Sequence, residues 1–147
     1  MKVINDKARW DYEISERTEA GIKLTGAEVK SARAGQVKLA GAFVRMNNGE
    51  LWVTNMQIYP YKYADNSEYV PDRPRKLLVR HKEMLAIMTK MKTGRLTLVP
   101  TAMYTKGPRV KIEIGLARGK KKYEKRGIIA KGDARRDMER ELRGKDY

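Results

Sequence analysis

Between Val110 and Leu116 every second residue is apolar. Val110, Ile112, Ile114 and Leu116 alternate with Lys111, Glu113, Gly115 and Ala117, the signature of a half-buried strand. The turn-forming triplet Lys106-Gly107-Pro108 stands just before it. Ala42–Met46 and Leu51–Thr54 read as two strands of a hairpin folded around Asn48-Gly49. Trp10–Ile14 is strand-like, and Thr97–Pro100 with Ala102–Tyr104 predicts one further strand or two. Two stretches switch to a helical period. Thr25-Gly26-Ala27-Glu28 has the form of a capping start for a helix running to Ala34 and stopping at Gly35. Arg80–Lys92 places Met84, Leu85, Met88 and Met91 on one face and stops at Gly94. Tyr61–Arg75, with its prolines and tyrosines, reads as a long loop. Strands with helices tucked against them, at 147 residues, predict a mainly β chain closed or partly closed into a small barrel.

Charge changes this picture in the last fifth of the chain. Lys and Arg outnumber Asp and Glu by 33 to 18, a net +15. Residues 118–147 carry +6 of that excess, more than twice the density of the rest. This divides the chain into a barrel, 1–117, and a basic tail, 118–147. Within the tail Asp133–Arg143 has good helix formers but only Ala134, Met138 and Leu142 to bury, so it is expected to be disordered alone and helical when bound. A charge this large points to a polyanion, nucleic acid or an anionic membrane. The basic segments have little apolar surface, no apolar run reaches the roughly 18 residues of a span, and the N-terminus lacks a secretory apolar core. With no cysteine, thiolate metal sites and disulfides are excluded, and a cytoplasmic RNA-binding protein without cofactor or metal is the expectation.

Candidate chemistry is sparse. With one histidine and no cysteine there is little material for a nucleophile–base pair. His81, among Lys and Arg at a helix start, reads as a surface residue. Asp11 and Glu13 would share a strand face and suit a nuclease metal, but on so basic a chain they are better partners for Lys or Arg. An enzyme is therefore not expected. Lys30, Arg33 and Lys38 surround the first helix, as a solvated face or as phosphate contacts. Lys111 stands on the outward side of the clearest strand. Tyr61, Tyr63 and Tyr69 share a loop with Arg73, Arg75 and Lys76, a mixture suited to stacking on unpaired bases or to anchoring the loop.

Several stretches also resemble one family. Gly26-Ala27-Glu28-Val29-Lys30-Ser31-Ala32-Arg33-Ala34-Gly35 is similar to the G-x-E-V-K-S-[LI]-R-A-G signature of the SsrA-binding proteins (small protein B), the protein partners of tmRNA in bacterial trans-translation. Asn5–Arg9 resembles N-[RK]-K-A-[RK], and Asp11–Ile14 with Glu19–Ile22 resembles Y-x-I…E-A-G-I. Pro74–Leu78, Leu98–Pro100, Arg109–Glu113 and Ala117–Lys121 are similar to T-R-K-L-L, T-L-V-P, R-V-K-V-E and A-[KR]-G-K-K. Departures are Glu124 for Asp in D-K-R, Ala32 for Leu or Ile, and Trp10 for Phe or His. The resemblance implies a six-stranded antiparallel barrel related to the OB-fold, with three helices and a flexible tail. It implies binding to the tRNA-like domain of tmRNA, and delivery, with elongation factor Tu reached through tmRNA, to stalled ribosomes. The tail would fill the empty decoding centre and mRNA channel, and the protein would act as a monomer. RNA-binding positions would fall on Asn5, Glu19, Leu78 and Lys111, and ribosomal contacts on Gly119, Lys120, Tyr123, Lys125 and Arg126. A carboxylate such as Glu19 would accept base or 2′-OH donors, or orient a neighbouring cation. Leu78 would touch RNA or shape its surface indirectly. The reading from another class is a general RNA chaperone or ribosomal-type OB protein.

Overall fold

The computed structural model describes residues 1–119. The expected Asp133–Arg143 helix and the candidate residues Lys120, Tyr123, Lys125 and Arg126 lie outside the described residues. In chain order the elements are β1 (Lys2–Ile4), α1 (Asp6–Asp11), β2 (Tyr12–Ile22), α2 (Gly26–Arg33), β3 (Val37–Lys38), β4 (Phe43–Asn47), β5 (Glu50–Thr54), β6 (Gln57–Ile58), β7 (Arg75–Leu78), α3 (His81–Gly94), β8 (Thr97–Lys106) and β9 (Arg109–Gly119).

Six antiparallel strands close on themselves. β8 pairs with β4, β4 with β5, β5 with β7, β7 with β2, β2 with β9, and β9 returns to β8. Closure leaves the barrel no free edge, and β1 lies outside it against β8. Alternate residues point inward: Leu51 and Val53, Leu77, Leu98, Met103, and Ile112 with Ile114 are all buried in one core. The β4–β5 turn falls on Asn48-Gly49 as expected, both with positive φ, 52° and 74°, which matches the right-handed twist of the two strands. At the β8–β9 turn Gly107 takes φ 61° and Pro108 follows, so Lys106 faces Arg109 and Tyr104 faces Lys111.

Both expected helices form. Thr25 and Glu28 make the capping box that starts α2: the Thr25 hydroxyl accepts from the Glu28 N–H at 3.2 Å, and Glu28 accepts from the Thr25 N–H at 3.0 Å. The inner face of α3 is Met84, Ile87 and Met91, whereas Leu85, expected there, is half exposed. The buried face is the expected one turned slightly, keeping Met84 and Met91 and exchanging Leu85 for Ile87, which joins the barrel core.

Three expectations are corrected. Trp10 and Asp11 are helical, not strand: Asn5 caps α1 by accepting the Ala8 N–H at 3.1 Å, and Lys7 reaches Asp11 one turn on at 2.8 Å. The strand-like pattern begins only at Tyr12, so Asp11 and Glu13 share no strand face, and Glu13 instead pairs with Arg118. Ala117 and Gly115, expected on the outward side of β9, are buried, because α1 lies over that end of the sheet. Ala8, Val99 and Ala117 form a second small core there, with Tyr12 and Ile14 against it. Arg75 is no loop cation. It opens β7 and is fully buried, its Nε donating to Glu28 at 2.7 Å and its Nη1 to the Met56 carbonyl at 2.9 Å. Tyr69 donates its hydroxyl to the Ile58 carbonyl at 2.7 Å and accepts from Arg75 at 3.0 Å, while Arg73 also pairs with Glu28. These three side chains anchor the loop and are unavailable for stacking on bases. Thr97–Tyr104 is one strand, kinked by an irregularity between Pro100 and Ala102. β9 runs on through Arg118 to Gly119, which pairs with Tyr12.

Candidate nucleic-acid interface

Pairing across the outer face of the barrel lines up one row from five strands. Lys2 faces Tyr104, Tyr104 faces Lys111, Lys111 faces Gly21, and Gly21 faces Leu78. Directly paired residues share a face, and their inward neighbours Ala20, Leu77 and Ile112 are buried, so the row points outward. Lys106 and Arg109 extend it on the turn side. Glu19 and Glu113 extend it on the other, directly opposite each other.

The Lys111–Gly21–Leu78 end of the row forms the floor of an open groove of about 720 Å³, lined also by Arg17, Glu19 and Arg80, with Val79 and Glu83 at its α3 side. Three of the residues singled out in the sequence, Glu19, Leu78 and Lys111, thus meet in one place. Gly21 keeps the floor low: a Cβ there would come within 3.3 Å of the Leu78 Cβ. Leu78 is half exposed, an apolar surface among cations. Such a mixture of apolar floor and basic walls suits a base with its phosphates rather than a phosphate alone.

The two facing carboxylates are each engaged. Glu113 accepts the Thr101 hydroxyl at 2.7 Å and lies 3.7 Å from Arg17. Glu19 accepts the Tyr104 hydroxyl, and Lys106 Nζ lies 3.3 Å away. The Tyr104 bond, joined by the nearby Lys106 and Lys111 charges, outweighs partial desolvation and holds the Glu19 carboxyl below the ordinary carboxylate range. In return, burial and then Glu19 push the Tyr104 phenol up to about 12. Both groups are fixed in the forms that share the hydrogen bond.

The remaining expected positions lie elsewhere. Asn5 is buried, its amide donating to the Leu39 carbonyl at 3.2 Å and the Pro100 carbonyl at 2.7 Å while its oxygen caps α1. It backs a separate hollow beside Lys7, Tyr12 and Phe43. Lys30 sits 5.5 Å over the Tyr61 ring, and Arg33 donates to the Pro108 carbonyl at the β8–β9 turn at 3.3 Å. Neither lines the groove, although Arg33 reaches the end where Lys106 and Arg109 project. Lys38 and His81 are exposed, Gly119 is exposed at the end of β9, and Tyr61 and Tyr63 pack edge to face at 5.4 Å. Among the described residues no group of His, Asp and Glu is placed to hold a metal, and no helix is long and apolar enough to cross a membrane. Arg17, Arg80 and Tyr104 were not singled out from sequence. For Tyr104 the signal was present, since counting back from the Gly107-Pro108 turn sets it opposite Lys111.

The chain is similar over nearly its whole length to known proteins. The family profile described as SmpB protein matches residues 2–144. The SsrA-binding protein of Carboxydothermus hydrogenoformans is 50% identical over 141 residues, covering 96% of this chain and 95% of the relative. That of Roseiflexus sp. is 51% identical over 140 residues, covering 95% and 89%. Among solved structures, a chain from the one described as "tmRNA-SmpB: a journey to the center of the bacterial ribosome" superposes with a TM-score of 0.68 at 45% identity, covering 92% of this chain and 95% of that one.

Proposed function

Since the chain belongs to the SmpB family of SsrA-binding proteins, we propose that it is an RNA-binding adaptor that holds tmRNA and delivers it to stalled ribosomes for trans-translation. It binds the tRNA-like domain of tmRNA through the outer groove and contributes no catalytic step. The observation that carries this reading is the meeting of Glu19, Leu78 and Lys111 in one basic groove on a closed barrel, joined there by Arg17 and Arg80. Lys111 supplies a point charge for phosphate, and Leu78 an apolar surface for a base or ribose. Asn5 acts from beneath, by fixing the corner between β1 and α1. Lys30 and Arg33 serve as flanking phosphate contacts on α2.

The chain from Lys120 onward is the second working part. It enters the vacant decoding centre and the mRNA channel, with Lys120, Tyr123, Lys125 and Arg126 on ribosomal RNA and Asp133–Arg143 helical there. Its charge supports this, and so does its point of departure at Gly119, on the rim of the sheet next to Tyr12. Elongation factor Tu is reached through the bound tmRNA, the protein works as a monomer, and its place of action is the cytoplasm. Two measurements test the reading. The protein bound to labelled tmRNA should resist a large excess of elongator tRNA, and equal displacement by either RNA would favour a general RNA chaperone. A chain stopped after Gly119 should keep its tmRNA affinity within a few-fold yet fail to support tagging of a stalled peptide; normal tagging would refute the second part.

A further inference from the structure

A carboxylate in a phosphate-binding groove works against its purpose, because it repels the polyanion it borders. Here Glu19 lines the groove, and Glu113 stands directly opposite it across β2 and β9. Glu113 is accounted for by Thr101 and Arg17. Glu19 is accounted for by Tyr104, and the way they meet is informative. Tyr104 stands on β8 and Glu19 on β2, with β9 between them. Neighbouring strands lie roughly 4.8 Å apart, so their backbones are separated by about two strand spacings. The phenol reaches the carboxylate only if its ring leans across β9, over the stretch between Lys111 and Glu113. One face of the ring then lies on the sheet and the other looks outward, in keeping with the half-buried state of the residue.

We propose that the outward face of Tyr104 is the platform on which one unstacked base of the bound RNA rests, and that Glu19 is the positioning residue that holds the ring down across β9. The inference rests on the tmRNA reading above and adds the chemistry of one subsite. Where the ring meets Glu19 it is flanked by Lys111, its partner on β9, and by Lys106, whose Nζ lies 3.3 Å from the Glu19 carboxylate. A base on the ring would therefore have its phosphates beside two ammonium groups, with Lys2 on the far side of β8. Every base offers a π face, so such a platform secures an exposed nucleotide without reading its identity. Beyond Lys111 the row drops to Gly21 and rises at Leu78, leaving room for a neighbouring nucleotide over the groove floor. The role implied for Glu19 in RNA binding then passes through Tyr104, and the cost of its charge beside RNA is offset by a ring already set in place.

The test uses the full-length protein and intact tmRNA, with affinity read by fluorescence anisotropy over a range of salt and folding followed by thermal melting. Tyr104→Leu should weaken binding roughly 5- to 150-fold, the range of one base–aromatic stack, without altering the slope of log K against log salt, because no charge is removed. Tyr104→Phe keeps the ring and loses its tether, so its loss should be smaller. Glu19→Gln should match Tyr104→Phe, and combining the two should add nothing further. Tyr104→Leu binding within twofold of the parent, or Glu19→Gln costing as much in the Tyr104→Phe background as alone, overturns the inference. A purely structural bond between β2 and β8 would lower the melting temperature and leave the affinity of the folded protein untouched, which also overturns it. The parent protein's preference for tmRNA over elongator tRNA is read in the same assay. If the parent shows no preference, the tmRNA reading falls; if parent and Tyr104→Leu bind tmRNA alike with preference intact, only the platform falls.

Discussion

Replacing Glu28 by glutamine removes one charge and almost no volume, so its cost measures what that charge holds together. Glu28 is 1% exposed and accepts from the Thr25 N–H at 3.0 Å, from Arg75 Nε at 2.7 Å and from Arg73, whose Nε lies 3.2 Å away. Arg75, fully buried, has no other carboxylate among its partners: its remaining bonds run to the Met56, Pro71 and Arg73 carbonyls and to Tyr69. Glutamine would leave that guanidinium uncompensated and turn an amide N–H toward one of the donors. Stripping one partner from a buried ion pair costs about 3–5 kcal/mol. The titration of the group leads to a similar figure. Burial raises the Glu28 carboxyl, but the bonds from Arg73, Thr25 and Arg75 together overcome it and hold it near 2 instead of 4.5. With each pH unit worth about 1.4 kcal/mol, the charged form is favoured by roughly 3 kcal/mol.

The sign follows from the depressed value. A carboxyl with a lower pKa folded than unfolded contributes its full stability above the unfolded value, and loses it as pH falls from about 4.5 toward 2. Glu28→Gln should therefore lower the stability of the protein by about 3–5 kcal/mol at pH 7, a large part of the total for a domain of this size, with a melting temperature lower by roughly 10 °C or more. The assay is urea unfolding of parent and variant between pH 7 and pH 2.5, followed by circular dichroism. The gap between the two should narrow below about pH 4.5, because the parent is then losing what the variant has already lost. A gap under about 1 kcal/mol at pH 7, or one that stays constant down to pH 2.5, would refute the reasoning.

Other perturbations have equally specific outcomes. Lys111→Ala should weaken tmRNA binding and reduce the slope of log K against log salt by about one, as expected for a single lost phosphate contact; an unchanged slope would remove Lys111 from the interface. Asn5→Ala strands the Leu39 and Pro100 carbonyls and uncaps α1. It should cost about 2–4 kcal/mol in urea unfolding, while tmRNA affinity measured on the folded variant stays within a few-fold; a large affinity loss in a protein of normal stability would place Asn5 on the RNA instead. Gly115→Ala would set a Cβ 2.6 Å from Ile14 Cγ2, a stiff branch under α1, and should destabilise by about 1–3 kcal/mol; a neutral substitution would mean that α1 yields easily.

What could be read from the chain alone follows the distance between interacting residues. The β4–β5 hairpin, the capping box of α2 and the alternation of β9 are local patterns, and each formed where its residues said it would. The helix at Asp6–Asp11 is local as well, but its signal is the cap at Asn5, and alternation beginning at Tyr12 hides it. The larger errors came from partners far apart in sequence. Arg75 reads as a loop cation until Glu28, 47 residues earlier, takes it into the core. Ala117 reads as an outward residue until α1 folds over it. Glu19 is the sharpest instance. Read by residue type alone it is a negative charge in a basic protein, and only the family resemblance gives it a use. Its meaning depends on Tyr104, 85 positions away, and on β9 lying between them. Barrel closure brings these groups together, so the partner of such a carboxylate is found in the fold and not among its neighbours along the chain.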